Sequence, residues 1–207
     1  VSPAGARVRH RAVYLHGGGW VNEIESAHWR FIARLAAETQ TAVRVPTYPL
    51  VPWGTAGDVV PRVAELVGAE IGRPGSRDTF VLGDSAGGQI ALSSAIHLRD
   101  NNSEQPSRVF LIAPVLDAAM DNPGIAAVAP RDPWLSCAGV HVYARYWRGH
   151  LSLDDPLVSP LSAALEGLTA LTIFSGTRDI LYPLLPIPEG CAARRRIVDT
   201  INSTAGP

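Results

Sequence analysis

The run Thr79-Phe80-Val81-Leu82-Gly83-Asp84-Ser85-Ala86-Gly87-Gly88-Gln89-Ile90-Ala91-Leu92 constrains what this chain can fold into more than any other stretch. A short, β-prone apolar segment meets a serine flanked by glycines, and a run of small residues with helical character follows. Gly83, Ser85 and Gly87 fit the pattern Gly-x-Ser-x-Gly, whose serine sits on a sharp turn between a strand and a helix. Such a turn strains the serine backbone, so its near neighbours must lack bulky side chains. Gly83 and Gly87 meet that need, and Ala86 and Gly88 keep the following turn thin. The hydroxyl is then exposed above a helix N-terminus, where backbone N–H groups favour developing negative charge. The pattern predicts Ser85 as a nucleophile; the alternative is a plain glycine-rich turn.

The rest of the chain alternates strands and helices around this run. Residues 8–15 read as a strand leading into His16-Gly17-Gly18-Gly19-Trp20. Trp29, Ile32, Ala33, Leu35 and Ala36 make one apolar stripe of a helix over 26–40. A strand is predicted over 41–45 and a helix over 58–71, with Pro61 tolerable only in its first turn. The helix after Ser85 runs to about residue 99, and strands are predicted over 108–113 and 169–175. A helix opens at Asp132-Pro133-Trp134-Leu135 and reaches Trp147. Beyond residue 181 prolines break the pattern; only 192–201 has helical character, with Arg194, Arg195 and Arg196 as a solvated face. Alternation of this kind gives a mostly parallel sheet with helices on both faces, in one α/β domain over 1–207 whose core covers 8–181 and whose tail covers 182–207.

Composition narrows the function classes. With 207 residues the chain suits one domain with a sizeable core. A net charge of -1 offers no electrostatic footprint for nucleic acid. No apolar run has the length of a membrane span. Cys137 and Cys191 are the only cysteines and form no C-x-x-C pair, which argues against a disulfide framework or zinc site. The polar, Arg-rich start carries no secretory signal, so the cytosol is the expected location.

An acyl-transfer serine needs a base, an acid to orient that base, and donors for an oxyanion. Three glycines after a strand leave backbone N–H groups uncovered, so Gly17 and Gly18 are candidate donors, with Ala86 as a third; the alternative for this stretch is a flexible loop. Asp179, beyond the strand at 169–175, is the candidate acid, in the crevice outside the carboxyl ends of the strands. A solvated turn aspartate is the bland reading, and Asp117 is a competitor. His16 reads as a structural hydrogen-bonder, and Asp84 as a local shaper of the loop.

These residues resemble the hormone-sensitive-lipase-like branch of the α/β-hydrolases, a family of serine carboxylesterases and lipases. The shared motifs are His16-Gly17-Gly18-Gly19-Trp20, Gly83-Asp84-Ser85-Ala86-Gly87-Gly88, Asp155-Pro156-Leu157-Val158-Ser159-Pro160-Leu161 and Gly176-Thr177-Arg178-Asp179. The resemblance implies the α/β-hydrolase fold, hydrolysis of a small-molecule ester, Ser85 as nucleophile, Gly17, Gly18 and Ala86 as oxyanion donors, and Asp179 as acid. It implies no metal or organic cofactor, and a substrate pocket lined by Trp20 and Trp134.

Two departures from the family pattern stand out. A short lead-in replaces the cap and strands that precede the first motif, so one sheet edge and the substrate cover are expected to be incomplete and self-association to follow. The triad of this fold runs Ser…Asp…His, yet all six histidines, His10, His16, His28, His97, His141 and His150, precede Asp179. The passage from Asp179-Ile180-Leu181 to Tyr182-Pro183-Leu184 is similar to two family segments joined by an internal deletion. The expected function is a serine ester hydrolase lineage whose activity is lost for want of a base. The alternatives are a non-catalytic acyl-ligand-binding or interaction protein, and an enzyme completed by a histidine from another chain.

Overall fold

Short apolar runs become the strands β1 (His10–Leu15), β2 (Thr41–Arg44), β3 (Thr79–Asp84), β4 (Arg108–Ile112) and β5 (Leu171–Phe174). The helices are α1 (Ser26–Thr39), α2 (Ala56–Ile71), α3 (Ser85–Asp100), a single turn α4 (Ile125–Val128), α5 (Cys137–Trp147) and α6 (Pro188–Ser203). The computed structural model describes residues 1–5, 7–75, 77–132, 135–175 and 188–204. The strands form one sheet in the order β2-β1-β3-β4-β5, every neighbouring pair parallel. Central β3 is buried at every position, which is why it reads as a near-continuous apolar run.

The topology decides where a site can form. From β1 the chain moves outward to β2, then crosses back to β3 on the other side of β1 and continues to β4 and β5. Strand order reverses between β1 and β3, the point at which an open parallel sheet leaves a crevice at its carboxyl ends. The segments leaving those two strands are His16–Trp20 and the Ser85 turn.

The period-2 alternation of the strands feeds two cores. Val13, Leu15, Val81, Val109 and Leu111 pack with α2 and α3 on one face. Ala12, Tyr14, Phe80, Leu82 and Phe110 pack with α1 and α6 on the other.

Capping residues moved several boundaries. Thr55 and Asp58 form a capping box, so α2 begins at Ala56 and Asp58 is its third residue. Pro61 therefore sits in the second turn, not the first. The Ser136 hydroxyl accepts the Gly139 N–H at 3.1 Å and starts α5 at Cys137, later than the sequence pattern suggested. α6 is longer than expected. It opens on Pro188, whose missing N–H is harmless at a helix start, and buries Ala193 together with Ile197, Val198 and Ile201, the last three in the second core. Arg194 of the expected solvated face pairs with Glu38 of α1, while Arg195 and Arg196 are exposed.

The outer edge of β2 is partly covered by the lead-in. The Val1 amino group donates to the Val43 carbonyl at 2.9 Å, and the Val43 N–H donates to the Val1 carbonyl at 2.8 Å. β5 forms the opposite edge, with Ile173 half exposed. Among the described residues no helix is long and apolar enough to cross a membrane.

Candidate active site

Ser85 is the first residue after β3 and the first of α3, and its φ is +49°. A non-glycine residue there costs about 1–3 kcal/mol and persists only where its surroundings over-determine it. The surroundings do so here. A methyl group on Gly83 would run into the Gly87 carbonyl oxygen, and one on Gly87 into the Leu15 carbonyl oxygen. The chain therefore doubles back on itself at Ser85 and presses against the end of β1. Ala86, second in α3, has an N–H without an intrahelical acceptor.

Asp84 ties the two crevice segments together. Its carboxylate is fully buried, and Oδ1 accepts both the Tyr14 hydroxyl at 2.6 Å and the Gly17 N–H at 3.0 Å. Burial first, and the Asp84 charge second, push the Tyr14 phenol well above its ordinary range, so it stays a donor. His28 Nδ1 accepts the Glu25 N–H at 3.0 Å, which leaves its proton on Nε2, 3.3 Å from Asp84 Oδ2. His28 thus serves the α1 capping box and Asp84 at once. His16 donates from Nδ1 to the Gly17 carbonyl at 2.7 Å and stacks on Tyr48, whose hydroxyl donates to the His16 carbonyl at 2.6 Å.

This arrangement corrects one expected role. Gly17 gives its N–H to Asp84, so that amide is not free to face a ligand. The glycine is needed for another reason: a side chain there would strike the Asp84 carboxylate and come within 3.1 Å of Ser85 Cβ. Gly18 and Gly19 follow with φ of +122° and +62°, and their N–H groups find no protein acceptor among the described residues.

Trp20 is a second correction. It is 2% exposed, stacks on Trp147 with ring centroids 5.6 Å apart, and belongs to the core under the crevice, not to a pocket wall. A flat aromatic beside a glycine loop looks the same in sequence whether it faces a ligand or the interior. Trp134 and Asp179, the other expected pocket and acid residues, lie outside the described residues.

A cavity of about 600 Å³ opens beyond the ends of β4 and β5. Leu116, Met120, Ile125 and Val140 make its walls mostly apolar, with the Asp117 carboxylate among them. It adjoins the Ser85 turn through Pro114 and Val115, the latter donating its N–H to the Ser85 carbonyl at 3.1 Å. Ser85 is not among its described lining residues.

None of the six histidines hydrogen-bonds to Ser85 among the described residues. His10 lies at the amino end of β1, opposite the crevice, against Asp78. His16 and His28 are committed as above. His97 is near the end of α3, His150 is exposed beside the start of α2, and His141 donates from Nε2 to the Ala119 carbonyl at 2.8 Å. Tyr14, His28 and Gln89 were not singled out from sequence. The Tyr14 hydroxyl, in the middle of an apolar strand, was the readable signal, because a buried phenol requires a partner.

Comparison with known proteins agrees with this fold. A family model described as alpha/beta hydrolase fold matches residues 12–184. A triacylglycerol lipase of Mycobacterium tuberculosis is 35% identical over 170 residues, covering 82% of this chain and 34% of the lipase. An esterase of Acinetobacter venetianus is 27% identical over 172 residues, covering 81% of this chain and 56% of the esterase. The chain thus spans about a third and just over half of the length of these two relatives. The crystal structure of a hormone-sensitive lipase from a metagenome library superimposes with a TM-score of 0.87 at 18% identity, over 98% of this chain and 80% of that one, a likeness of fold. By its matched residues, its parallel sheet and the Ser85 turn, this chain belongs to the alpha/beta hydrolase fold family and shares its lineage with esterases and lipases.

Proposed function

We propose that the chain is the core of a serine carboxylic-ester hydrolase of the hormone-sensitive-lipase-like branch, with Ser85 as nucleophile. The observation that carries this reading is the left-handed Ser85 at the end of β3, set beside the Gly18–Gly19 loop at the end of β1. In the proposed reaction Ser85 Oγ attacks the acyl carbonyl, the alcohol departs, and water cleaves the acyl-enzyme. The oxyanion takes hydrogen bonds from the N–H groups of Gly18, Gly19 and Ala86, which have no competing acceptor in the described protein. Asp179 is assigned as the acid on the family pattern alone. The apolar cavity beside the turn suits a short or medium acyl chain.

A serine hydroxyl needs a base, because its own pKa lies far above neutrality. None of the histidines bonds to Ser85, and none follows Asp179 in these 207 residues. The 207-residue chain by itself therefore has negligible turnover. The same observation favours a second reading, an acyl-ligand-binding protein with an intact turn and no base; a base donated by another chain is the third.

Turnover of a short-chain p-nitrophenyl ester, measured beside fluorophosphonate labelling, separates these readings. The proposal expects slow, stoichiometric labelling at Ser85, abolished in Ser85→Ala, with turnover near background. Labelling at any other residue rejects the nucleophile. Ester binding with no Ser85 labelling at all supports the second reading instead.

A further inference from the structure

Gln89 lies one helical turn after Ser85 on α3, is fully buried, and uses every hydrogen-bonding position of its amide. Its Oε1 accepts two indole N–H groups, from Trp20 at 3.0 Å and from Trp147 at 2.9 Å. Its Nε2 donates to the Ser93 hydroxyl at 2.9 Å and to the Leu157 carbonyl at 2.7 Å. The amide orientation follows from chemistry: two donor-only indoles demand the oxygen, and a carbonyl at the far end demands the nitrogen. Ser93 passes its own proton to the Pro156 carbonyl at 2.7 Å.

Trp20 is the residue this network holds that bears on the crevice. It directly follows Gly19 and has a φ of +62°, so Gly18, Gly19 and Trp20 are three successive residues with positive φ. Glycine adopts that conformation freely; a tryptophan is held there by its contacts. Those contacts are the Gln89 hydrogen bond, the Trp147 stack, whose planes are 13° apart, and the Val51 N–H donating to the Trp20 carbonyl at 2.9 Å. At the other end of the loop the Gly17 N–H is held by Asp84.

We propose that Gln89 is a positioning residue for the oxyanion loop: through the Trp20 indole it fixes the Gly18–Gly19 amides relative to Ser85. The loop is fastened to the two residues that bracket Ser85, Asp84 just before it and Gln89 one turn after. Any displacement of α3 carries the loop with it, so the spacing between serine and donors is preserved. A fixed spacing of this kind lets donors act without reorganising as charge develops. The assignment rests on Ser85 being the nucleophile, but its test does not require turnover.

The readout is hydrogen exchange, followed by NMR, of the amides the loop holds: Gly17 to Asp84 Oδ1, Val21 and Asn22 to the Gly18 carbonyl, and Val51 to the Trp20 carbonyl. Gln89→Met keeps the side-chain length and leaves both indole N–H groups unpaired. It is expected to speed exchange of these amides about tenfold or more, the size of one lost hydrogen bond, while β1 and β3 exchange as in the wild type. Gln89→Glu keeps an oxygen facing both indoles and is expected to retain loop protection, although it loses the donor to Leu157. Ser93→Ala, which alters only the far side of the network, is expected to leave the loop unchanged. Should Gln89→Met not fold, Trp147→Phe removes one indole donor while keeping the ring, and a loop loosened less than threefold with Trp20 still bonded is then expected. The proposal is overturned if folded Gln89→Met leaves loop exchange unchanged. It is equally overturned if Gln89→Glu or Ser93→Ala loosens the loop as much as Gln89→Met, or, where Gln89→Met does not fold, if Trp147→Phe, Gln89→Glu or Ser93→Ala loosens the loop about tenfold or more. Failure of Ser85 to label with a fluorophosphonate bears on the nucleophile and not on this result.

Discussion

The Asp84 carboxylate accepts the Gly17 N–H at 3.0 Å, binding the residue before the candidate nucleophile to the first glycine of the facing loop. The two lie at the ends of adjacent strands, β3 and β1, whose register brings Leu15 beside Gly83. The same oxygen takes the Tyr14 hydroxyl, so one buried group aligns a strand and a loop. Asp84→Asn keeps one oxygen for Tyr14 and Gly17 but sets an amide NH2 against the His28 Nε2–H that Oδ2 accepts. Leaving one buried donor unpaired costs about 1–3 kcal/mol. A lower urea midpoint at unchanged m-value is expected; an unchanged midpoint contradicts the role given to Asp84.

The glycines of the turn differ sharply from those elsewhere. Gly87→Ala places a methyl against the Leu15 carbonyl oxygen, which cannot move without breaking the β1–β3 ladder. No soluble, cooperatively folded protein is expected from it. Gly68, inside α2, has only Leu98 Cδ2 within reach, at 3.9 Å. Gly68→Ala is expected to raise stability by about 0.5–1 kcal/mol, the helix preference for alanine. Equal responses at the two positions, read by thermal denaturation, contradict the packing argument.

Trp20 is a core residue, and its removal should behave as a core mutation. Trp20→Ala is expected to cost about 3–5 kcal/mol, within the range for aromatic truncations. In a protein made active by a family-type helix, strand and His-bearing loop after Leu181, adding Trp20→Ala should leave the ratio of kcat/KM for short and medium acyl chains unchanged. A shift of that ratio with little loss of stability would return Trp20 to the substrate pocket.

Acid stability has a readable sign at His16. Burial, opposed by the Gly17 hydrogen bond, lowers its pKa from the ordinary 6.5. The folded state resists protonation more than the unfolded chain. The His16 contribution is therefore neutral above pH 6.5 and becomes destabilising as pH falls from 6.5 through the lowered value. His16→Asn keeps a donor for the Gly17 carbonyl and does not titrate. Urea midpoints should fall faster for the wild type than for His16→Asn below 6.5 and run parallel above it; a gap that widens on the alkaline side reverses the sign.

Much of the fold was legible because the apolar runs within β1, β3 and β4 are buried throughout, where sequence and environment agree. The Ser85 turn was legible because the glycines at 83 and 87 have no substitute there. Boundaries set by capping were less so: the pattern over 58–71 hid the Thr55–Asp58 box, and prolines concealed the start of α6 at Pro188. The partners of Asp84 could not be read, since Tyr14, Gly17 and His28 come from distant positions and meet only after the sheet forms. Trp20 was misplaced because an aromatic after glycines carries no mark of which side it faces. Asp179 and Trp134, assigned from the motif and the family layout, lie outside the described residues.

Ser85 is proposed as a nucleophile whose base is not supplied within these 207 residues. Removing a triad member leaves only about 10³–10⁴-fold over water, from donors and binding. The most direct measurement compares p-nitrophenyl ester turnover of the 207-residue chain with that of a variant carrying a family-type helix, strand and His-bearing loop between Leu181 and Tyr182. The account predicts turnover near background for the chain itself, activity in the extended variant, and its loss on Ser85→Ala. Equal activity of the two proteins, abolished by His141→Ala or His150→Ala, would contradict it.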